Sequence, residues 1–276
     1  MSLLLANYHT HTSRCFHAVG SDADYVEAAL DAGYQVLGFS DHSPWPFSSG
    51  FRSHIRMHPD QLSDYIASVC HLREVYEGRI TLHLGLEAEY FPRYRDWLLS
   101  MRDQGIEYYV LGQHYADSEE DTPYTGLECK EDDGVLRYAE STVAAIRTGL
   151  FAYLAHPDLF MRHRTDEQFN QACEEASDMI CQACLEMHLP IEYNLAGLIG
   201  QMNGKSRGYP STPFWEYARK YHNPVILGVD AHDPAHLTHP SARSVALQTL
   251  DSLGYTVIDR LPMDSGLSFG GASHAD

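Results

Sequence analysis

His9 and His11 stand two positions apart, directly after an apolar run over 3–6 that reads as a short buried strand. Side chains alternate faces along a strand, so both imidazoles project to the same side. Two imidazoles on one face at a strand end can hold a metal ion between them. A single histidine there would ordinarily be a surface or satisfied core residue. The argument rests on recurrence. Later apolar stretches end in Asp41 and His42, in Glu87 and Glu89, in His114, in His156, and in Asp230 and His232, while His17 follows the first pair in a loop. Imidazole plus carboxylate, without cysteine, suits Zn²⁺, Fe or Mn²⁺. Nine ligands are too many for one ion, which implies two or three divalent ions. A carboxylate can bridge two ions roughly 3.5 to 4 Å apart.

The elements that must position these residues alternate along the chain. Strands are expected over 35–40, 79–90, 108–112, 151–155, 190–195 and 224–229, with a possible last one over 255–258. Ser21 is a candidate N-cap for a helix with Asp22 and Asp24 in its first turn, closed by Gly33. Further helices are expected over 59–76, 92–104, 136–148, 166–187, 213–222 and 241–253, an acidic surface excursion over 117–133, and a Gly-rich loop over 196–212. Cys181 and Cys184 form a CxxC within the 166–187 helix and read as small core residues. Alternating strands and helices predict a parallel sheet, and about seven βα units favour a closed barrel with its reactive groups at the strand C-termini.

The 276 residues suit one large α/β domain or two small ones. They are read as one domain over 1–262 with a flexible tail over 263–276. A formal net charge of −19 is the opposite of a nucleic-acid footprint. No apolar run reaches membrane-spanning length, and the N-terminus lacks a signal pattern. Six scattered cysteines suit a reducing cytoplasm.

HTH (9–11), the loop His17, FSDH (39–42), GLE (85–87), GQH (112–114), AHPD (155–158) and VDAH (229–232) together resemble, in order, the polymerase and histidinol phosphatase (PHP) family. CFHAVGS (15–21), SDHSP (40–44), HPDL followed by Arg162, and the Asn194 loop before YPS (209–211) resemble its histidinol-phosphate phosphatase branch. The resemblance implies a distorted seven-stranded (β/α)7 barrel and three metals. His9, His11, Glu87 and Asp230 would hold the first; Glu87 would bridge to the second, completed by His114 and His156; His17, His42 and His232 would hold the third. The motif favours Glu87 over Glu89 as the bridge. Gln113 and Val229 depart from the usual pattern, but neither is a ligand.

The implied reaction is hydrolysis of L-histidinol phosphate to L-histidinol and phosphate, in histidine biosynthesis. Divalent ions neutralise the ester dianion and lower the pKa of water to about 7. A water held by the His9, His11, Glu87 and Asp230 set would give a hydroxide that attacks phosphorus in line. Arginine suits bidentate contact with the equatorial oxygens. Arg162 is the first candidate and Arg207 stands behind it, with Glu89 and Asn194 as further substrate contacts, whereas Arg164 reads as a solvated surface residue. The leaving group's proton could come from water, Asp41 or Glu89. For Asp41, a hydrogen bond orienting His42 is the preferred role. The loop with Trp45, Phe47, Phe51, His54 and His58 could be a substrate lid or ordinary packing. The partner expected is a small phosphorylated metabolite. Other readings are a phosphatase for another such metabolite, a nuclease module, which the acidic charge disfavours, and a metal-binding regulator without turnover.

Overall fold

The apolar stretches form one parallel sheet of seven strands, each hydrogen-bonded to its neighbours in sequence. The structure is a computed structural model that describes residues 6–205 and 208–263. The strands are β1 (Ala6–Asn7), β2 (Val36–His42), β3 (Thr81–Ala88), β4 (Tyr108–Leu111), β5 (Tyr153–Leu154), β6 (Ile191–Asn194) and β7 (Val225–Gly228). Between and after them run α1 (Asp22–Asp31), α2 (Leu62–Val75), α3 (Arg95–Asp103), α4 (Thr125–Glu128) and α5 (Asp132–Ile146). The second half adds α6 (Gln171–Glu186), α7 (Leu195–Met202), α8 (Thr212–Ala218), α9 (Pro234–Leu237) and α10 (Ala242–Leu253).

The sheet curls into a nearly closed barrel. Its first and last units meet at a parallel bridge between Thr10 and Ala231. There His11 N donates to Ala231 O at 3.0 Å and Ala231 N donates to His9 O at 3.2 Å. Closure therefore falls at the level where His9, His11 and Asp230 leave their strands. A parallel sheet is covered on both faces, which is why its strands are largely apolar until the polar residues at their C-terminal ends. The larger core lies between strands and helices. A second core, with Tyr8, Val36, Tyr108, Tyr153 and Ile226, fills the barrel interior. Tyr108 Oη donates to Tyr8 O at 2.8 Å within it. Among the described residues no helix is long and apolar enough to cross a membrane.

Local chemistry explains the boundaries. Ser21 and Asp24 form a capping box at the start of α1, as expected. Helix α5 starts at Asp132 rather than 136, because Asp132 and Asp133 favour a helix N-terminus. The expected helix over 166–187 is broken. A 3₁₀ turn, Asp166–Gln168, comes first, and then Asn170 caps α6 by accepting from Cys173 N. Asparagine competes with the helical ladder in this way. The expected Gly-rich loop over 196–212 is half helix: Leu195, Leu198 and Ile199 are buried, and Asn194 caps α7. The expected strand over 255–258 reduces to one bridge, Val225 to Val257. The acidic excursion over 117–133 is only partly surface, since Ser118, Thr125 and Cys129 are buried. Cys181 and Cys184 are free thiols buried in α6. The strand positions 3–5, the substrate candidate Arg207 and the tail from 264 onward lie outside the described residues.

Candidate metal centre

Register places the first pair. Parallel pairing sets His42, the last residue of β2, directly opposite Glu87 of β3. His42 Nδ1 lies 2.9 Å from Glu87 Oε2. His9 Nε2 and His11 Nε2 each lie 3.5 Å from the same oxygen. The other oxygen, Oε1, faces His156 Nε2 at 3.0 Å and His114 Nε2 at 3.4 Å. One buried carboxylate thus meets five imidazoles. Asp230 Oδ1 lies 3.1 Å from His11 Nε2, 3.3 Å from His232 Nδ1 and 3.6 Å from His9 Nε2.

These contacts resolve into triads whose ligand atoms all lie within 4.8 Å of one another. The triads are His9, His11, Asp230; His11, His42, Glu87; Glu87, His114, His156; and His17, His42, His232. All nine sequence candidates are therefore brought to one rim. A fifth triad, His11, Cys15 and His232, adds a thiol that the sequence reading left out.

The donor set fits divalent cations. Nε2 of His9, His11 and His232, and Nδ1 of His42, are buried without a well-directed hydrogen bond among the described residues. Each such atom costs about 1–3 kcal/mol unless something takes its lone pair. The Nδ1 atoms of His9, His11 and His114 are held by carboxylates. His9 Nδ1 contacts Glu192 Oε2 at 2.7 Å, His11 Nδ1 contacts Asp41 Oδ1 at 3.4 Å and His114 Nδ1 contacts Glu89 Oε1 at 3.2 Å. A carboxylate accepts only, so it keeps the proton on Nδ1 and leaves Nε2 bare towards the centre.

The backbone is bent to this arrangement. His156 and Asp230, just beyond β5 and β7, have φ of 30° and 51°. Non-glycine residues adopt this region at a cost of about 1–3 kcal/mol each, and such strain clusters at functional sites. Two glycines make room for carboxylates. A Cβ on Gly112 would overlap Glu87, and one on Gly228 would overlap Glu192.

Burial and mutual charge move the titrations apart. Burial alone would lower the pKa of His9, but Glu192, Asp230 and Glu87 outweigh it and raise it well above 6.5. For His11 burial is likewise overcome, by Asp230 and Asp41. In His156 it is overcome by Glu87. His42 and His232 fall well below 6.5, through burial and then the neighbouring His11. Burial would raise Glu87, yet His114, His9 and His42 hold it well below the carboxylate range. Asp230 is held low against burial by His9 and His11.

A cavity of about 490 Å³ opens over the centre, with Ile55, Tyr115, Tyr124, Arg162, Tyr209 and His236 among its walls. Arg162 is braced there: Nη1 donates to Tyr209 Oη at 3.3 Å and the guanidinium stacks 5.3 Å from the Tyr124 ring centre. A larger groove of about 690 Å³, along α10, holds none of the nine candidates.

Other candidates are placed differently from expectation. Glu89 is buried behind His114, pairs with Arg56 at 2.7 Å and does not line the cavity. Asn194 does not line the cavity either. Its Oδ1 caps α7 through Gly197 N, and Nδ2 donates to Glu192 and Asp230. Arg164 is buried rather than solvated, donating to the Cys129 and Gln168 carbonyls and to Asp132. Asp41 is buried and accepts from the His42 backbone N and from Thr12, so it supports His11 more than the His42 ring. Trp45 points inward, donating to Glu89 at 2.9 Å, while Phe47 packs on Phe51. Sequence reasoning missed Glu192, Arg56 and Tyr124, and gave Tyr209 only as part of the YPS stretch. An acid inside the apolar stretch 190–195 is a usable signal for Glu192; loop positions give none for Arg56 or Tyr124.

A family model, the PHP domain, matches residues 7–194. Over 238 residues the chain is 32% identical to a Deinococcus radiodurans protein named "Probable histidinol-phosphatase", covering 83% of this chain and 87% of that one. It is 27% identical over 130 residues to the histidinol-phosphatase of Bacillus subtilis, 45% of this chain and 48% of that one. Among solved structures it is similar to the histidinol phosphate phosphatase of Lactococcus lactis, complexed with Zn, L-histidinol and phosphate. That superposition has a TM-score of 0.69 at 16% identity, covering 93% of this chain and 96% of the other, and it shows a shared fold. With a family match spanning most of the barrel and the motifs in order, the chain belongs to the PHP domain family.

Proposed function

We propose that this protein is a divalent-metal-dependent phosphomonoesterase that hydrolyses L-histidinol phosphate to L-histidinol and phosphate. The observation that carries the reading is Glu87, whose two carboxylate oxygens are shared among five imidazoles, three of which (His9, His11 and His42) face it with a buried nitrogen that makes no well-directed hydrogen bond among the described residues. His9, His11, Glu87 and Asp230 would hold a first ion, Glu87, His114 and His156 a second, and His17, His42 and His232 a third. Bound ions supply Lewis acidity that neutralises the phosphate dianion and draws a nucleophile from water near neutral pH. The neighbour's Zn makes Zn²⁺ the first ion to test.

The chain's own residues supply the rest. Glu192, Asp41 and Glu89 keep protons on the outer histidine nitrogens, so the inner ones stay basic. Arg162, held flat between Tyr124 and Tyr209, presents a fixed cation to phosphoryl oxygens. Neither Asp41 nor Glu89 lines the cavity, so neither protonates the leaving alkoxide directly. The cavity, about 490 Å³, suits a small metabolite. The −19 net charge disfavours a polyanionic nucleic acid. Six free cysteines among the described residues fit a reducing compartment.

The test is a panel: phosphate release from histidinol phosphate, phosphate release from other monoesters, and loss of 3′ nucleotides from DNA, with protein purified without chelator. Clear preference for histidinol phosphate is expected. Equal rates across the monoesters would remove the specific assignment.

A further inference from the structure

We infer that Arg56 is a positioning residue for the second metal, wiring the 43–58 loop to His114. The inference rests on the metal-centre reading proposed above. Arg56 is a loop residue, yet it is only 1% exposed. Its Nη2 donates to Glu89 Oε1 at 2.7 Å and its Nη1 to Glu89 Oε2 at 3.0 Å, a two-pronged fork. Nη1 also donates to Ser43 O at 3.1 Å, and Nε donates to Glu119 Oε2 at 2.7 Å. Ser53 Oγ, from the same loop, takes the other oxygen of Glu119 at 2.7 Å.

Glu89 is thus gripped by two loop residues, Arg56 and Trp45, the latter at 2.9 Å. It also contacts His114 Nδ1, at 3.2 Å. His114 turns its Nε2 to Glu87 Oε1 at 3.4 Å, inside the triad with His156. A continuous line of contacts therefore runs from Glu119, through Arg56 and Glu89, to a candidate ligand.

Burying a guanidinium costs several kcal/mol unless its partners are well placed, so packing alone would favour an apolar side chain here. A fork of two hydrogen bonds fixes the plane of a carboxylate as well as its position. A metal-ligating histidine depends on that plane, because the carboxylate sets the ring's tautomer and orientation. Loss of such an outer partner typically costs about 10–100-fold in metal affinity. The loop read from sequence as lid or packing is, on this geometry, part of the metal site's scaffold.

The experiment is a Zn²⁺ titration of the chelator-stripped full chain, wild type against Arg56→Met, read as equivalents bound and their affinities. One equivalent should weaken about 10–100-fold in R56M while the others hold. Arg56→Lys, which restores charge without the fork, should recover only part of the loss. If R56M melts at a lower temperature yet binds every equivalent as tightly as wild type, Arg56 merely anchors the loop and the inference is overturned. If R56M does not fold, Trp45→Phe removes one Glu89 donor while keeping the ring, and the same equivalent should weaken, by less. Unchanged binding in W45F would then overturn the inference. A wild-type chain that binds no Zn²⁺ would instead defeat the metal-centre reading itself.

Discussion

Gly112 lies so close to Glu87 that any side chain at position 112 would occupy the space of the Glu87 carboxylate. The pair joins the end of β4 to the oxygens that face five imidazoles. Gly112→Ala should therefore act as a mutation of Glu87. We expect a folded protein whose bound metal falls and whose phosphatase activity drops by roughly 100-fold or more, at least the cost of losing an outer ligand partner. Metal analysis beside circular dichroism checks this; full metal content in G112A would contradict it.

His232 tests the third triad. It faces His17 and His42, with ring centres 4.6 and 6.1 Å away. His232→Ala should keep the fold and lose one metal equivalent together with most of kcat. Undiminished turnover would show that the third group is not used.

Arg162 tests phosphate recognition. Its hydrogen bonds to a charged oxygen should contribute about 1.5–3 kcal/mol, so Arg162→Met should raise KM roughly 10–100-fold. The inhibition constant of inorganic phosphate should rise in parallel. Arg162→Lys should recover little, because an ammonium lacks the stacked fork that sits over Tyr124. A KM within twofold of wild type in R162M would exclude this role.

Metal removal should expose a pH signature. In the chelator-stripped protein His9, His11 and His156 have raised pKa values. Their stabilising contribution is complete below 6.5, the unfolded value, and is lost as pH rises through the folded values. His42 and His232 are lowered, so unfolding takes up protons and stability grows as pH rises towards 6.5. The two sets together place the stability maximum of the stripped protein near pH 6.5. Bound metal competes with the protons on His9 and His11, so Zn²⁺ affinity should increase with pH and binding should release protons. A melting temperature that keeps rising from pH 7 to 9 after stripping would contradict this sign.

Local patterns pointed to a parallel barrel and to polar groups at its strand ends, because an apolar strand is repeatedly followed by a histidine or acid; His17 lies in a loop, and it was the ordered motifs' resemblance to the PHP family that singled out the nine candidate ligands. Local rules also gave the Ser21 cap and the buried cysteines of α6. They failed where a side chain has two plausible partners. Asn194 read as a substrate contact but caps α7, and Arg164 read as solvated but is spent on carbonyls. Which distant groups stand behind the ligands follows from the folded chain alone. Glu192 meets His9 across 183 residues, and Arg56 reaches Glu89 across 33. No periodicity encodes those meetings, since barrel closure and the path of a long loop bring the groups together.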